Sequence, residues 1–346
     1  HMSARRQRQM CIRDRLYIQM NFLLTGGAGY IGSHAALCLL DAGHNVHIID
    51  NLSTGDEKLI PKEAEFTRCN IDDEENISSI LNSNNFDALM HFAGFIQVEE
   101  SVKFPEKYFK NNTENAIKLF KICKKNGLDK IVFSSTAAAY GLVRENKLID
   151  ESTNLNPQNP YAESKIKTEK FLFENKNNFK FVILRYFNVA GADKKLRSGQ
   201  ISKRSTHLIK ILSEVAIGKR DHIEIYGNDY NTPDGTAIRD YIHVSDLADI
   251  HLEVAKYLIE KLESNLFNCG YGNGFSVLDV VNTANKICQN KINYKFSERR
   301  DGDVEKLIAE TSKISKHIQW QPKYNDLEEI INSSIKWEEK INARNS

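Results

Sequence analysis

Apolar positions along this chain fall into two alternating rhythms. Short runs rich in β-branched and aromatic residues, at Asn21–Leu24, Asn45–Ile49, Ala64–Cys69, Ala88–Phe92, Ile131–Ser134 and Val182–Tyr186, read as strands. Between them lie stretches with helical periodicity, notably Ser33–Ala42, Glu74–Leu81, Pro105–Asn126 and Tyr161–Asn175. Such alternation predicts an α/β fold, a doubly wound parallel (Rossmann) sheet with helices on both faces. Past about Asn188 the rhythm changes to helices with short strands: Thr206–Ile217, Ile223–Tyr226, Val244–Leu262, Leu266–Cys269 and Val277–Gln289. The expectation is therefore a dinucleotide-binding domain over residues 20–188, with later segments returning to it, and a smaller mixed α/β substrate-binding cap over residues 189–346.

The first strand runs into Gly26, Gly29 and Gly32, three residues apart, and then into a helix. Strand, glycine turn and helix place a pyrophosphate on a helix N-terminus, where free N–H groups and the positive end of the dipole face the anion. Gly26 allows the tight turn, Gly29 the close approach of backbone to phosphate, and Gly32 the packing of helix on strand. A second β-rich run, His44–Asp50, ends in an acid eighteen residues after Gly32. A carboxylate there accepts both ribose hydroxyls of adenosine and repels a 2′-phosphate, so Asp50 predicts NAD over NADP.

Residues 1–19 do not fit this scheme. They are polar and basic without an amphipathic stripe, and Met20 opens the first strand directly, so they read as an extension foreign to the fold. Lys and Arg number 47 against 46 Asp and Glu, a net charge of +1, which suggests neither a nucleic-acid nor a membrane partner. Six scattered cysteines without metal-ligand spacing read as reduced thiols of a cytoplasmic protein, with no disulfide frame and no metal site.

The candidate chemistry lies at Ser134–Gly141 (SSTAAAYG) and Tyr161–Lys165 (YAESK). Tyr161 and Lys165 are four residues apart on a helix and share one face. A tyrosine pKa near 10 is too high for a base at neutral pH; a neighbouring ammonium and a nicotinamide cation are expected to lower it. Thr136 is placed to hydrogen-bond the hydroxyl being oxidised and align it with Tyr161.

With these residues the chain, from Met20 to about Trp337, resembles the extended short-chain dehydrogenase/reductase family, and within it the UDP-glucose 4-epimerases. The resemblance rests on Thr25–His34 (TGGAGYIGSH), Asp50–Asn51, His91–Gly94 (HFAG), Arg185–Gly191 (RYFNVAG), Tyr226–Tyr230 (YGNDY), Asp234–Thr236 (DGT), Arg239–Val244 (RDYIHV) and Arg299–Asp303 (RRDGD). It implies interconversion of UDP-galactose and UDP-glucose through a transient 4-keto sugar, with Tyr161, Lys165 and Thr136 catalytic. The implied NAD contacts are Gly26, Gly29, Tyr30, Ile31, Gly32, Asp50, Asn51, Asn70, Ile71, Phe92, Ala93, Gly94, Asn111, Ser134, Tyr161, Lys165 and Tyr186. The implied nucleotide-sugar contacts are Thr136, Asn188, His207, Leu208, Tyr226, Arg239, Arg300, Asp303 and Leu307. Paired arginines suit a diphosphate because the guanidinium fork binds phosphate bidentately. A homodimer through helices Pro105–Asn126 and Tyr161–Asn175 is implied as well.

Some positions depart from the enterobacterial form of the pattern. Asn70 replaces an aspartate, Ile96 a lysine and His207 an asparagine. Leu307 stands where a bulky tyrosine confines related enzymes to glucose and galactose and a small residue admits an N-acetyl group, so activity on the N-acetylated pair is the alternative reading. A 4,6-dehydratase, which needs an acid–base pair after the threonine, is disfavoured by Ala137 and Ala138.

Overall fold

A computed structural model describes residues 19–143, 148–202, 205–288, 291–300 and 303–343. The expected extension, except Gln19, and the expected helix end at Gln289 lie outside the described residues.

Seven parallel strands form the central sheet, in the order β3-β2-β1-β4-β5-β6-β11. Their spans are β1 Asn21–Thr25, β2 Asn45–Ile49, β3 Glu65–Thr67, β4 Ala88–His91, β5 Lys130–Thr136, β6 Lys180–Tyr186 and β11 Asn265–Cys269. Burial on both faces explains the unbroken apolar runs. Phe22 and Leu24 face one core, with Leu39 of helix α1 (Tyr30–Asp41) and Leu247, Ile250 and Leu258 of α8 (Val244–Lys261). Leu23 faces the opposite core, with Ile77 of α2 (Glu74–Ser83), Phe120 of α5 (Ala116–Lys125) and Leu172 of α6 (Pro160–Glu174). The last strand returns through α8 and pairs with β6 from Asn265↔Val182 to Cys269↔Tyr186.

The stretch expected as one helix over Pro105–Asn126 is three pieces. A short α4 (Pro105–Tyr108) leads into a π-helical turn, Phe109–Asn115, and only then into α5. π-Turns insert a residue into the helical ladder and recur at functional sites. Here the turn packs on α6, where Thr113 Oγ1 donates to the Ser164 carbonyl at 2.8 Å and Thr168 Oγ1 to the Asn112 carbonyl at 2.8 Å.

A third core gathers Ile209 and Leu212 of α7 (Leu208–Ala216), Ile223 and Ile225 of β8 (Ile223–Tyr226), Val280 and Val281 of α9 (Val277–Ile287) and Ile330 and Ile331 of α11 (Leu327–Ala343). Short ladders join β8 to β13 (Tyr294–Ser297), β9 (Ile238–Arg239) to β14 (Lys306–Leu307), and β7 (Asn188–Ala190) to β10 (Tyr241–His243).

Candidate active site

The glycine turn closes on the sheet as its spacing requires. Gly26 has φ +75°, and a Cβ there would lie 2.5 Å from the Ala93 backbone nitrogen; one on Gly32 would lie 2.3 Å from the Gly26 carbonyl oxygen. The turn and the Phe92–Gly94 segment therefore meet backbone to backbone beyond β1 and β4, the crevice where doubly wound sheets bind ligands. Asp50, at the end of β2, accepts from Ala28 N at 3.0 Å and Leu52 N at 2.8 Å. Burial raises its pKa, and those two bonds oppose the rise. A carboxylate has about four acceptor sites, so two remain for ribose hydroxyls. Asn51 Nδ2 donates to Asn70 Oδ1 at 2.8 Å, while Ile71 is buried beneath. Tyr30 anchors the turn by donating its hydroxyl to the Gly191 carbonyl at 2.6 Å, and Ile31 packs against the α1 core. A side-chain-free cradle and a buried acid with open acceptor sites fit NAD.

At the end of β5, Tyr161, Lys165 and Thr136 converge as their spacing predicts. Tyr161 lies beside Thr136, whose Oγ1 accepts from Ala138 N at 3.1 Å. Lys165 is 2% exposed and donates to the Ser134 carbonyl at 2.9 Å. Desolvation lowers its pKa to about 8, against the opposing charge of Glu169. One expectation changes. Burial raises the Tyr161 pKa, and the contact that opposes the rise is Thr136, because the Lys165 ammonium is directed at a backbone carbonyl.

Gly94 leaves room beside Lys165: a Cβ there would lie 3.2 Å from Nζ and 3.3 Å from Asn112 Oδ1. Asn112 is the buried member of its pair, accepting from Phe95 N at 2.9 Å and donating to the Phe95 carbonyl at 2.9 Å; Asn111 is half-exposed and donates to it at 3.0 Å. Asn111, the residue that sequence reasoning selects, is thus the more exposed of the two, and Asn112, which it does not select, is the buried one. The π-turn decides which of the two faces inward, and no residue type announces it. Tyr186 donates its hydroxyl to His251 Nε2 at 2.6 Å, because His251 Nδ1 lies 2.8 Å from the Leu247 carbonyl and must be the protonated nitrogen. Burial holds His251 neutral, with a pKa near 4. Phe92 packs on the same imidazole, ring centroids 4.8 Å apart.

The second lobe holds a cavity of about 600 Å³. Asn188, His207, Leu208, Tyr226, Arg239, Arg300 and Asp303 all line it, brought together from positions 188 to 303. Arg220, Asp221, His222 and Glu224 line it too, though sequence reasoning does not select them, since charges beside a short strand look like ordinary surface. Arg300 stacks its guanidinium 3.8 Å above the Tyr226 ring, and Tyr226 donates to Glu224 at 2.6 Å. Arg239 is ion-paired to Asp303. Leu307 is placed elsewhere, half-buried against Ala137, Tyr140, Ile149 and Phe187.

Comparison with known proteins matches residues 22–270 to the family described as "Epimerase: NAD dependent epimerase/dehydratase family". A UDP-glucose 4-epimerase of Azospirillum brasilense is 44% identical over 330 residues, 95% of this chain and 94% of that one. Among solved structures, a UDP-glucose-4-epimerase from Stenotrophomonas maltophila with bound NAD and formylated UDP-arabinopyranose superposes with a TM-score of 0.91 at 31% identity, covering 95% of this chain and 100% of that one. A UDP-Glc/GlcNAc 4-epimerase from Campylobacter jejuni gives a TM-score of 0.81 at 42% identity, covering 93% and 99%.

Proposed function

Since this chain belongs to the NAD dependent epimerase/dehydratase family, we propose a division of labour in its site by which it works as an NAD-dependent UDP-glucose 4-epimerase, interconverting UDP-galactose and UDP-glucose. Bound NAD supplies the hydride acceptor and donor and, when oxidised, a positive charge in the pocket. The residues that would hold it are Gly26, Gly29, Gly32 and Tyr30 at the turn, Asp50, Asn51 and Asn70 at the ribose end, and Phe92, Ala93, Gly94, Ser134 and Tyr186 toward the reacting end.

The chain's own chemistry is proton management. Thr136, beside Tyr161, aligns the sugar 4′-hydroxyl with that phenol, and Tyr161 takes its proton as C4′ is oxidised. Lys165, buried and protonated below about pH 8, braces the strand end beneath Tyr161 through the Ser134 carbonyl, and the positive charge of oxidised NAD would favour the phenolate. The 4-keto sugar turns about its diphosphate link and presents its other face, and Tyr161 returns the proton. Arg239 and Arg300 hold the diphosphate, and Asp303 accepts uridine ribose hydroxyls. Ala137 and Ala138, following Thr136, provide no acid–base pair for dehydration.

The observation that carries this reading is the pairing of two sites: a Tyr–Lys–Thr cluster, its Lys165 and Thr136 buried, beside the glycine cradle, and a 600 Å³ cavity lined by every nucleotide-sugar candidate except Thr136 and Leu307. Incubation with UDP-galactose and no added NAD should yield UDP-glucose; no conversion with or without NAD would refute it. Leu307, intermediate in volume, favours the glucose/galactose pair with weak activity on the N-acetylated pair. Among the described residues no helix is long and apolar enough to cross a membrane, and the scattered thiols suit the cytoplasm. A homodimer would use the 105–125 and 160–174 helices, near which Phe104 and Phe173 are 58% and 46% exposed. Light scattering that gives a monomer mass at micromolar concentration would contradict it.

A further inference from the structure

One face of α6 is joined to three consecutive residues of β5. Tyr161 lies beside Thr136, Lys165 bonds the Ser134 carbonyl at 2.9 Å, and Glu169, one turn further on, accepts a hydrogen bond from Ser135 Oγ. Glu169 is 2% exposed, far from ordinary for a carboxylate. Its other partner is Arg185 of β6, 3% exposed, which donates from Nε to Oε1 at 3.1 Å and from Nη2 to Oε2 at 2.5 Å. Arg185 Nη1 has no hydrogen-bond partner, and its guanidinium lies 4.9 Å from the Tyr140 ring. The arginine is thus spent on Glu169 alone.

We propose that Glu169 is the third functional member of this face, a positioning residue whose buried carboxylate, held by Arg185 and Ser135 one helical turn from Lys165, keeps that ammonium charged. The inference rests on the epimerase reading above. A buried ion pair is not required for stability, since apolar replacements of such pairs are often neutral or stabilising. It does bring a fixed negative charge one helical turn from an ammonium that burial would otherwise discharge.

Other titratable groups around Lys165 leave this role to Glu169. Tyr161 on the same helix and Tyr186 on β6 are neutral phenols with raised pKa values. His91 on β4 is held neutral, with a pKa near 3. Arg185 on β6 is cationic and acts in the opposite sense. The Asn112 amide of the π-turn carries no charge.

The test compares alkaline limbs of the kcat–pH profile in NAD-loaded protein, with melting temperature and retained NAD measured alongside. The parent is assayed first; its conversion of UDP-galactose establishes the reading on which this rests. Glu169→Gln removes the negative charge, so Lys165 loses its proton more easily and the limb should move down by about one pH unit. Arg185→Met breaks the same pair but leaves Glu169 facing Lys165, so the limb should move up. A structural clamp alone predicts the same effect from both. Because an unpaired buried charge can prevent folding, Glu169→Gln with Arg185→Met is made as well; its limb should lie below that of the parent, by less than in Glu169→Gln alone. A double variant that folds, binds NAD and keeps the parent's limb overturns the proposal, as do single variants that shift in the same direction.

Discussion

Leu307→Ala separates two roles that one side chain can play in this site. Leu307 ends β14 opposite Arg239 of β9 and packs against Ala137, the residue after Thr136, and against Phe187. It does not line the 600 Å³ cavity. Truncation removes three carbons, worth about 2.4 kcal/mol if fully buried at about 0.8 kcal/mol each. Half-burial reduces that to about 1–2 kcal/mol, or roughly 1–3 °C in melting temperature for a chain of this length. If the methyls border the 2′-substituent, the space released should also raise kcat/KM for UDP-N-acetylgalactosamine relative to UDP-galactose. A pocket difference of this kind is worth about 10- to 200-fold, and a gain near the lower end is expected because alanine offers the acetamide no hydrogen bond. Both substrates are assayed in parent and variant, together with melting temperature. A lower melting temperature with an unchanged ratio would make Leu307 simple packing beneath β5, and equal efficiencies in the parent would remove it from substrate selection.

Tyr161→Phe should keep its fold and its NAD while kcat falls by about 10²–10⁴-fold; turnover near that of the parent would show that another base acts. Gly32→Ala places a Cβ 2.3 Å from the Gly26 carbonyl, and the protein should purify with little NAD and a lower melting temperature; full NAD content would mean the turn tolerates the methyl. His34, His91, His243 and His251 are buried, with pKa values near 4, 3, 3 and 4. The unfolded chain gains protons at these sites first, so stability should be full above about pH 6.5 and fall progressively towards pH 3–4. Urea titrations at pH 7.5 and 5 test this, and equal midpoints would contradict it.

The central sheet is legible because two-sided burial writes itself as apolar runs, and the glycine turn because backbone contact excludes a Cβ at Gly26 and Gly32. The Tyr161–Lys165 pair follows from helical spacing. Other features leave no such trace. Leu266–Cys269 reads as a strand, but nothing in LFNC says that it joins β6. The π-turn at Phe109–Asn115 changes which asparagine faces inward without changing composition. Glu169 and Arg185 look like surface charges in sequence, because only the fold places them across α6 and β6 from one another. That Arg239 and Asp303 pair with one another is likewise invisible in the sequence, where they stand 64 residues apart.

The order of the sheet has a consequence for biosynthesis. Its edge strand, Asn265–Cys269, is translated after β7 to β10 and α8, elements that belong to or lead out of the nucleotide lobe. Until residue 269 has left the ribosome, β6 has an open edge on one side, with its N–H and C=O groups exposed to pairing with other chains. Residues translated earlier can fold only as an incomplete six-stranded platform, and α8, which covers one face of that platform, also arrives late. The two lobes therefore mature together, and a ribosome paused between residues 190 and 265 would present the chain in its most aggregation-prone form.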